Sequence, residues 1–399
     1  MQQLYPLRGA VQHYSWGGNR FIPALMGQPN NEDKPFAELW LGAHPGAPAQ
    51  VQAGTEWKPL PQLLQEQPRL LGEDVQQRFG ALPYLLKVLD VRHMLSIQVH
   101  PTKAVAAQRF QDEERAGVPR NAPHRNYKDE NHKPELMVAL SDFWLLHGFK
   151  PAAQLRQTWQ EVPELNALES QFAGDDYKQL YRYVMQLPQQ EVNQLLQPLV
   201  GRIVPQYEQG LLQKSSPHFW AARAVQHFCA GSNLDRGIFS IYFFNLLHLK
   251  RGEGIYQPAG LPHAYLEGQN VEIMAASDNV LRAGLTDKWM DVPELLAQTH
   301  FAPTHPHVIS AGAGNTVYAS PAAEFELSKI ALVTDVPQNI NTASPETFLV
   351  TEGVVQVSSG GEVHEVKKGA ALFAGSGVPL TLKAQEPAVL YRATVPVLA

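Results

Sequence analysis

The apolar residues of this chain follow two different patterns, and the change between them divides the chain. Up to about residue 150 they form short runs broken by proline and glycine, among them Leu85–Val91, Met94–Val99 and Leu136–Val138. Short apolar runs between turn residues predict strands of an antiparallel β structure. One stretch, Lys103–Glu114, has helical spacing instead. We therefore expect a β domain that contains one helical segment.

Between residues 151 and 231 the apolar residues recur every three or four positions, which predicts α-helices. Tyr177 and Val184 fall on one face of a first helix by this spacing. Ser216 is a suitable N-cap for a later helix, because its hydroxyl can accept a hydrogen bond from a free backbone N–H. We expect that helix to end at Gly231 and the whole region to form a helical insertion.

After the insertion the chain returns to short apolar runs, apart from a region around Val292–Thr299. The most apolar run, Ile238–Leu249, is too short to cross a bilayer and contains Asn245 and His248. We interpret this run as a buried strand.

An internal repeat indicates that the end of the chain resembles its middle. Residues 249–263 align without gaps with residues 366–380, and each copy reads as a strand, a basic glycine turn, a second strand and a Gly-x-Pro turn. Such a cassette is typical of small jelly rolls of the cupin kind. His263 in the first copy is Leu380 in the second, so we expect the second jelly roll to bind no metal.

These patterns predict a mainly β fold with a helical insertion. Two cupin-type jelly-roll domains are expected beside one α-helical domain. The expected divisions are a catalytic domain built from residues 1–150 and 232–300, the helical insertion 151–231, and a metal-free domain over residues 301–399.

Four potential metal ligands lie in three polar stretches of the β part. Gln98 and His100 are two positions apart, so an extended strand would place both side chains on one face. Glu135 follows a Lys-Pro pair, which favours an extended chain, so we expect Lys133 and Glu135 to share one face with His132 on the other. His263 follows a Gly-Leu-Pro turn. Each residue alone fits a surface or structural role as well. Together, nitrogen and oxygen donors without thiolate suit Zn²⁺, Mn²⁺ or Fe²⁺ with one position open for substrate.

Cations stand close in sequence to these four residues, although the chain as a whole is acidic. The formal net charge is −6, which argues against nucleic acid or an anionic membrane as the partner. Lys103, Lys133, Arg282 and Lys288 therefore indicate a small anionic substrate, which we interpret as a phosphorylated molecule. Cys229 is the only cysteine, and the chain begins without an apolar leader, so we expect a cytoplasmic protein.

The same stretches resemble the signatures of the type I mannose-6-phosphate isomerases. The resemblance covers the whole chain, and its strings are long enough to be specific. The matching stretches are residues 12–17, 37–45, 98–101, 127–135 and 263–288. Asp287 stands where the family commonly has proline, and Thr102 replaces a common acidic or amide residue. Both flank the motifs, so they put at most the positioning of the substrate in doubt.

The resemblance implies a zinc enzyme that interconverts mannose 6-phosphate and fructose 6-phosphate through an enediol(ate). By family pattern Gln98, His100, Glu135 and His263 hold one Zn²⁺, and Arg282 has the active-site role. A permanent cation suits stabilisation of the enediolate rather than proton transfer. The implied partner is a small phosphorylated sugar, and we expect a monomer.

The base that moves the proton stays open between Lys133 and Glu272, with Asp278 in a supporting role. Either base would need burial and neighbouring charges to adjust its protonation. The remaining expected roles are phosphate contacts for Lys103 and Lys288 and a wall of the sugar site for Trp16.

Two other functions fit parts of the pattern. An Fe²⁺ dioxygenase of the cupin kind would use His100, His263 and Glu135 as ligands, but Gln98 as a fourth ligand and the nearby cations argue against it. A non-catalytic cupin that binds sugar phosphates would retain the metal site. That reading lacks support from any nucleic-acid-binding or signalling segment in the sequence.

Overall fold

The computed structural model describes residues 4–229, 231 and 233–397 and confirms the mainly β fold with a helical insertion. The strands, numbered in chain order, are β1 Leu4–Arg8, β2 Ala10–Gln12, β3 Glu38–Gly42, β4 Gln50–Ala53, β5 Glu56–Pro59, β6 Tyr84–Val91, β7 Gln98–Val99, β8 Glu135–Ala139, β9 Phe143–Phe149, β10 Phe244–Leu249, β11 Gly254–Gln257, β12 His263–Ala275, β13 Leu281–Arg282, β14 Thr316–Tyr318, β15 Glu326–Leu332, β16 Gln338–Asn341, β17 Glu346–Glu352, β18 Val354–Ser359, β19 Glu362–Lys367, β20 Ala371–Ala374, β21 Pro379–Ala384 and β22 Ala388–Thr394.

The helices lie mostly between β9 and β10, as the sequence predicts. The α-helices are α1 Phe21–Leu25, α2 Leu60–Glu66, α3 Glu73–Phe79, α4 Lys103–Arg115, α5 Ala152–Glu161, α6 Tyr177–Gln186, α7 Gln189–Glu208, α8 Pro217–Phe228, α9 Gly237–Phe243 and α10 Val292–Gln298, with 3-10 segments at Pro68–Leu71 and Pro163–Asp175. The described residues contain no helix that combines the length and the apolar character needed to cross a membrane.

The strands form three antiparallel sheets within the described part of the chain. One sheet has the order β10-β9-β12-β6-β3-β2, with β7, β8, β11 and β13 attached around the long strand β12. A second has the order β14-β15-β22-β17-β20-β1-β4-β5, and a third the order β16-β21-β18-β19. Strand β12 pairs in turn with β6, β7, β8 and β9, so it is the axis of the first β domain.

The internal repeat is confirmed by strand pairing. In the first copy β9 pairs with β10 and β12, and β8 pairs with β11. In the second copy β18 pairs with β19 and β21, and β17 pairs with β20. The turns match as well: Gly252 and Gly369 have φ of 87° and 81°, and Gly260 and Gly377 have φ of 79° and 75°. Glycine is needed at these four aligned positions because other residues rarely adopt positive φ.

The helical insertion packs directly behind the strands of the first β domain. One apolar cluster joins Trp159, Tyr181 and Trp220 of the insertion to Leu146 and Val99 of the strands β9 and β7. All of these side chains are almost completely buried. The insertion therefore supports the rear of the sheet whose end carries the candidate ligands.

Two apolar runs have structures different from those predicted. The prediction of one buried strand over Ile238–Leu249 is wrong for its first half, which is helix α9. Every residue of α9 is buried, so the run has no polar face that would reveal a helical period. The run Met94–Val99 contains only the two-residue strand β7. Helix α8 also stops earlier than expected, since it ends at Phe228 rather than at Gly231.

The first 150 residues contain more helix than predicted. Helix α4 confirms the expected segment at Lys103–Glu114, whereas α1, α2 and α3 were not expected. In addition, β1 pairs with β20 and β4 pairs with β1, so the beginning of the described chain belongs to the sheet of the C-terminal domain. The domain boundaries given above stay a prediction, but this crossing shows that the two β domains share strands.

A buried ion pair in the second β domain gives a test of stability. Arg392 Nε donates to Glu346 Oε2 over 2.7 Å, and Glu346 is fully buried. We expect Arg392→Ala to lower the free energy of unfolding by about 3–5 kcal/mol, because it leaves a buried carboxylate without its cation. Chemical denaturation followed by circular dichroism measures the change. Arg251→Ala, which removes an exposed partner of Glu352, serves as the control and should leave stability unchanged.

Candidate active site

The candidate ligands are the first residue of β12, the first residue of β8, and residues in and directly after β7. His263 is the first residue of β12 and has Gln98 of β7 as one cross-strand partner. Gln98 is in turn paired with Arg282 of β13. Cross-strand partners project to the same face of a sheet, so these three side chains form one row. Glu135 begins β8 and is paired with Met274 and Gln257.

His100, Glu135 and His263 form a compact buried trio. Nε2 of His100 lies 3.3 Å from Oε1 of Glu135, and Nε2 of His263 lies 3.2 Å from Oε2 of the same carboxylate. One ligand atom from each residue falls within 4.8 Å of the others. All three residues are almost completely buried. Two imidazoles and a carboxylate at this spacing match the protein ligands of catalytic zinc sites.

The backbone fixes the tautomer of both histidines. Nδ1 of His100 lies 2.9 Å from the carbonyl oxygen of Asn279, and Nδ1 of His263 lies 3.0 Å from that of Leu261. A carbonyl oxygen only accepts hydrogen bonds, so each Nδ1 carries a proton and each ring directs its Nε2 toward Glu135. Nε2 of His100 is buried without a hydrogen-bond partner among the described residues. This arrangement prepares both rings for metal binding.

The electrostatics of the trio favour the protonation states that bind a metal. Burial lowers the pKa of His100 to about 4, which keeps the imidazole neutral. Burial alone would raise the pKa of Glu135, but Lys133 and His100 outweigh it and hold that pKa well below its usual range. The site therefore presents the neutral imidazole of His100 beside a charged carboxylate.

A small inner pocket of about 50 Å³ lies beside the trio. It is lined by Glu135 and His263 together with Gln98, Lys133 and Glu272. Lys133 Nζ is 3.2 Å from Glu135 Oε1, so Lys133 and Glu135 face the same side, as expected for an extended Lys-Pro-Glu segment. The structure thus brings all four predicted ligands and both predicted bases to one place.

Glu272 belongs to a buried charged network at the base of the inner pocket. Its carboxylate accepts a hydrogen bond from the Tyr265 hydroxyl over 2.7 Å and lies 3.4 Å from Lys87 Nζ. Lys87 is also 3.7 Å from Glu38. Burial, reinforced by the charge of Glu135, raises the pKa of Glu272. Lys87 and Glu38 were not predicted as site residues, although a lysine inside the apolar run of β6 is a sequence signal that could have identified Lys87.

A larger outer cavity of about 430 Å³ opens from the inner pocket and shares Gln98 and Lys133 with it. Lys128, Arg282 and Lys288 line this cavity. The pKa of Lys288 is lowered by burial and by the charges of Arg282 and Lys128, because the three cations lie close together. Such a group of cations suits a phosphate. Lys128 was not among the phosphate contacts predicted from the sequence.

Trp16 and Asp278 also line the outer cavity. Trp16 is stacked on Tyr14, with ring centroids 5.9 Å apart, and provides an apolar wall. Asp278 is half-exposed, and its Oδ2 lies 3.5 Å from Nε2 of His44. Both residues are therefore placed where the sequence predicts them to meet a substrate.

Lys103 is the predicted site residue that the structure places elsewhere. Its ammonium lies 3.5 Å from Glu324 Oε1, its side chain is 57% exposed, and Lys103 is not among the residues that line either space. It is the first residue of α4, and its ammonium pairs with Glu324 of the C-terminal part of the chain. The prediction of a phosphate contact at Lys103 is not supported by this position.

The fold and the site together define a metal-binding β protein with an enzyme-like cavity for a small anion. Residues 4–152 match the family model of the phosphomannose isomerase type I catalytic domain. Mannose-6-phosphate isomerase of Escherichia coli (strain K12) is 34% identical to this chain over 391 residues, which cover 94% of this chain and 96% of that protein. The Homo sapiens mannose-6-phosphate isomerase is 32% identical over 427 residues and covers 96% of both chains. This chain belongs to the type I mannose-6-phosphate isomerase family.

A solved structure extends the likeness to three dimensions. Mannose 6-phosphate isomerase from Salmonella typhimurium, bound to its substrate F6P and to zinc, has a TM-score of 0.88 and 29% sequence identity, and the match covers 99% of this chain and 100% of that one. The zinc in that relative and the buried His100–Glu135–His263 trio together confirm the expected site for one Zn²⁺.

Removal of one imidazole tests the metal site. We expect the purified protein to contain one zinc per chain and His100→Ala to retain less than a tenth of that, because a buried ligand cannot be replaced by solvent at the same position. Elemental analysis after gel filtration measures the content. His248→Ala, which changes a partly exposed histidine paired with Asp142, should bind zinc normally. Full occupancy in His100→Ala would rule out this assignment.

Proposed function

We propose that this protein interconverts mannose 6-phosphate and fructose 6-phosphate. The observation that carries the proposal is the buried His100–Glu135–His263 trio that adjoins a cavity lined by Arg282 and Lys288. Membership of the family and the F6P-bound relative give the same substrate pair.

The metal ligands are proposed to be His100, Glu135, His263 and Gln98. Gln98 joins the set because it is the cross-strand neighbour of His263 and lines the inner pocket beside Glu135. A bound zinc ion would supply Lewis acidity toward the hydroxyl and carbonyl oxygens of the sugar.

The cations of the outer cavity are proposed to have two roles, stabilisation of the enediolate and binding of the phosphate. Arg282 lies next to Gln98 in the strand row, so it is close to the reacting carbons, where its fixed charge stabilises the enediolate. Lys288 and Lys128, which line the outer cavity, bind the phosphate. Trp16 covers one side of the sugar. No phosphate contact is proposed for Lys103, because its ammonium pairs with Glu324.

The proton transfer is proposed to use Lys133 or Glu272. After ring opening, which Asp278 at the cavity edge assists, a base removes the proton from C2 of the aldose. The electron pair forms the enediolate. The hydroxyl proton on O2 then moves to O1, and as the O2 carbonyl forms, a proton returned to C1 completes the ketose. Lys133 lines both the inner pocket and the outer cavity, whereas Glu272 lines only the inner pocket. We further propose a cytoplasmic monomer, for which sedimentation of the purified protein is the test of oligomeric state.

Chelation tests the proposed function directly. We expect turnover of mannose 6-phosphate to fructose 6-phosphate, loss of that turnover after chelation, and recovery when Zn²⁺ is added back, since the open metal position takes part in the reaction. A coupled assay for fructose 6-phosphate measures the rate. Absence of turnover with one zinc bound per chain would refute the isomerase assignment. Oxygen consumption with Fe²⁺ would instead favour a dioxygenase.

Substitution of the two candidate bases tests the proton transfer. We expect Lys133→Gln or Glu272→Gln to lower kcat by about 10²–10⁴-fold with little change in KM, because general-base catalysis contributes a factor of this size. Incorporation of solvent deuterium into the product should fall with the same variant. Zinc content must stay at one per chain in that variant. Lys250→Gln, at an exposed pair with Asp142, is the control, and proton transfer by another group follows if both variants retain wild-type kcat.

A further inference from the structure

We propose that Glu324, from the C-terminal part of the chain, is a positioning residue for the active site and acts by holding His132 in the loop that carries Lys133. Glu324 lies between β14 and β15, outside the strands that carry the metal ligands. The claim for catalysis rests on the proposed isomerase function, whereas the claim that Glu324 orders the loop does not.

The contacts of Glu324 join the two β domains. Its Oε1 lies 2.8 Å from Nε2 of His132 and 3.5 Å from Nζ of Lys103. The carboxylate is only 2% exposed, and its Oε2 is buried without a hydrogen-bond partner among the described residues. Lys103 therefore acquires a role different from the predicted phosphate contact: it supplies part of the charge that balances Glu324.

The groups that pair with this buried carboxylate are His132 and Lys103. Burial would raise the pKa of Glu324, but the hydrogen bond and charge of His132, with the charge of Lys103, lower it overall. A charged carboxylate with a single imidazole hydrogen bond is a strong constraint on the imidazole, because the charge-assisted bond is roughly twice as strong as a neutral one.

His132 is one residue before Lys133, and the two side chains face opposite directions. Lys133 Nζ lies 3.2 Å from Glu135, in the inner pocket, while His132 contacts Glu324 behind the loop. Residues 128–134 form neither helix nor strand. Their direction therefore depends on side-chain anchors, and a fixed His132 also fixes the side on which Lys133 projects.

Asn279 also holds this loop through hydrogen bonds to its backbone. Oδ1 of Asn279 accepts a hydrogen bond from the Lys128 N–H over 2.7 Å, and its Nδ2 donates to the carbonyl oxygens of Asp129 and Asn131 over 2.7 and 2.8 Å. Asn279 is completely buried. Asn279 thus holds the loop from the side of the metal ligands, and Glu324 holds it from the opposite side.

The two residues beside Glu324 in the chain, Ala323 and Phe325, are held by contacts of their own. The neighbouring Ala323 accepts a hydrogen bond from Arg78 Nη2 over 3.0 Å, and Arg78 also donates to the carbonyl of Pro396 over 3.0 Å. Phe325, on the other side, is fully buried. These contacts connect the position of the Glu324 carboxylate to the packing of the C-terminal domain.

Hydrogen exchange and kinetics of Glu324→Ala test this proposal in the full-length zinc enzyme. We expect faster amide exchange in the segment 127–135 and a kcat lowered roughly ten- to a hundredfold, since a small misplacement of a reacting group has an effect of this size. Glu324→Gln keeps an acceptor for His132 and should restore part of both losses. Glu352→Ala removes an exposed carboxylate of the same domain and is the matched control.

A double-mutant cycle separates positioning from general stability. If Glu324 acts through His132, Glu324→Ala causes no further loss of kcat in a His132→Ala background. Unchanged exchange in residues 127–135, or an equal loss of kcat with and without His132, overturns the proposal. If the wild-type protein turns over no mannose 6-phosphate, the proposed function fails, and the exchange result alone still decides whether Glu324 orders the loop.

Discussion

The charge of one buried carboxylate organises the whole site. Glu135 sits in the interior of a β domain, where an unpaired charge would be strongly unfavourable. His100, His263 and Lys133 all direct nitrogen atoms to it within 3.3 Å. Because Nδ1 of His100 and of His263 each faces a backbone carbonyl oxygen, the Nε2 atoms of both rings are directed to the side where a zinc ion would bind. The strands β7, β8 and β12, the glycine turns and the helices behind them keep these groups in register.

The sequence was sufficient to predict the fold class and the position of the site. Polar residues such as Gln98 and Glu135 stand out because they interrupt apolar strands, and a cassette that repeats without a gap identifies a second domain of the same kind. The Lys-Pro-Glu segment also predicts correctly that Lys133 and Glu135 face one way and His132 the other. These successes share one cause: strand geometry makes the direction of each side chain a local property.

The predictions that are wrong or missing concern properties that depend on distant parts of the chain. Helix α9 is buried on all sides, so its sequence resembles that of a strand. Lys103 is near a ligand in sequence, but its partner Glu324 lies more than 200 positions away. Strand β1 joins a sheet formed mainly by the last eighty residues. Lys87 and Lys128 enter the cavity only because the folded chain brings β6 and the loop after α4 beside β12. No local pattern contains this information.

The second β domain shows another solution for the same buried carboxylate. Glu135 is paired with Gln257 and Glu346 with Ala374, which are aligned positions of the repeat, so Glu346 is the counterpart of Glu135. Strand register likewise makes Arg392 the counterpart of Glu272. A guanidinium therefore balances in one domain the charge that a metal balances in the other. The two β domains thus differ in which cation pairs with this carboxylate, and a histidine placed at Leu380 would find the carboxylate already paired with Arg392.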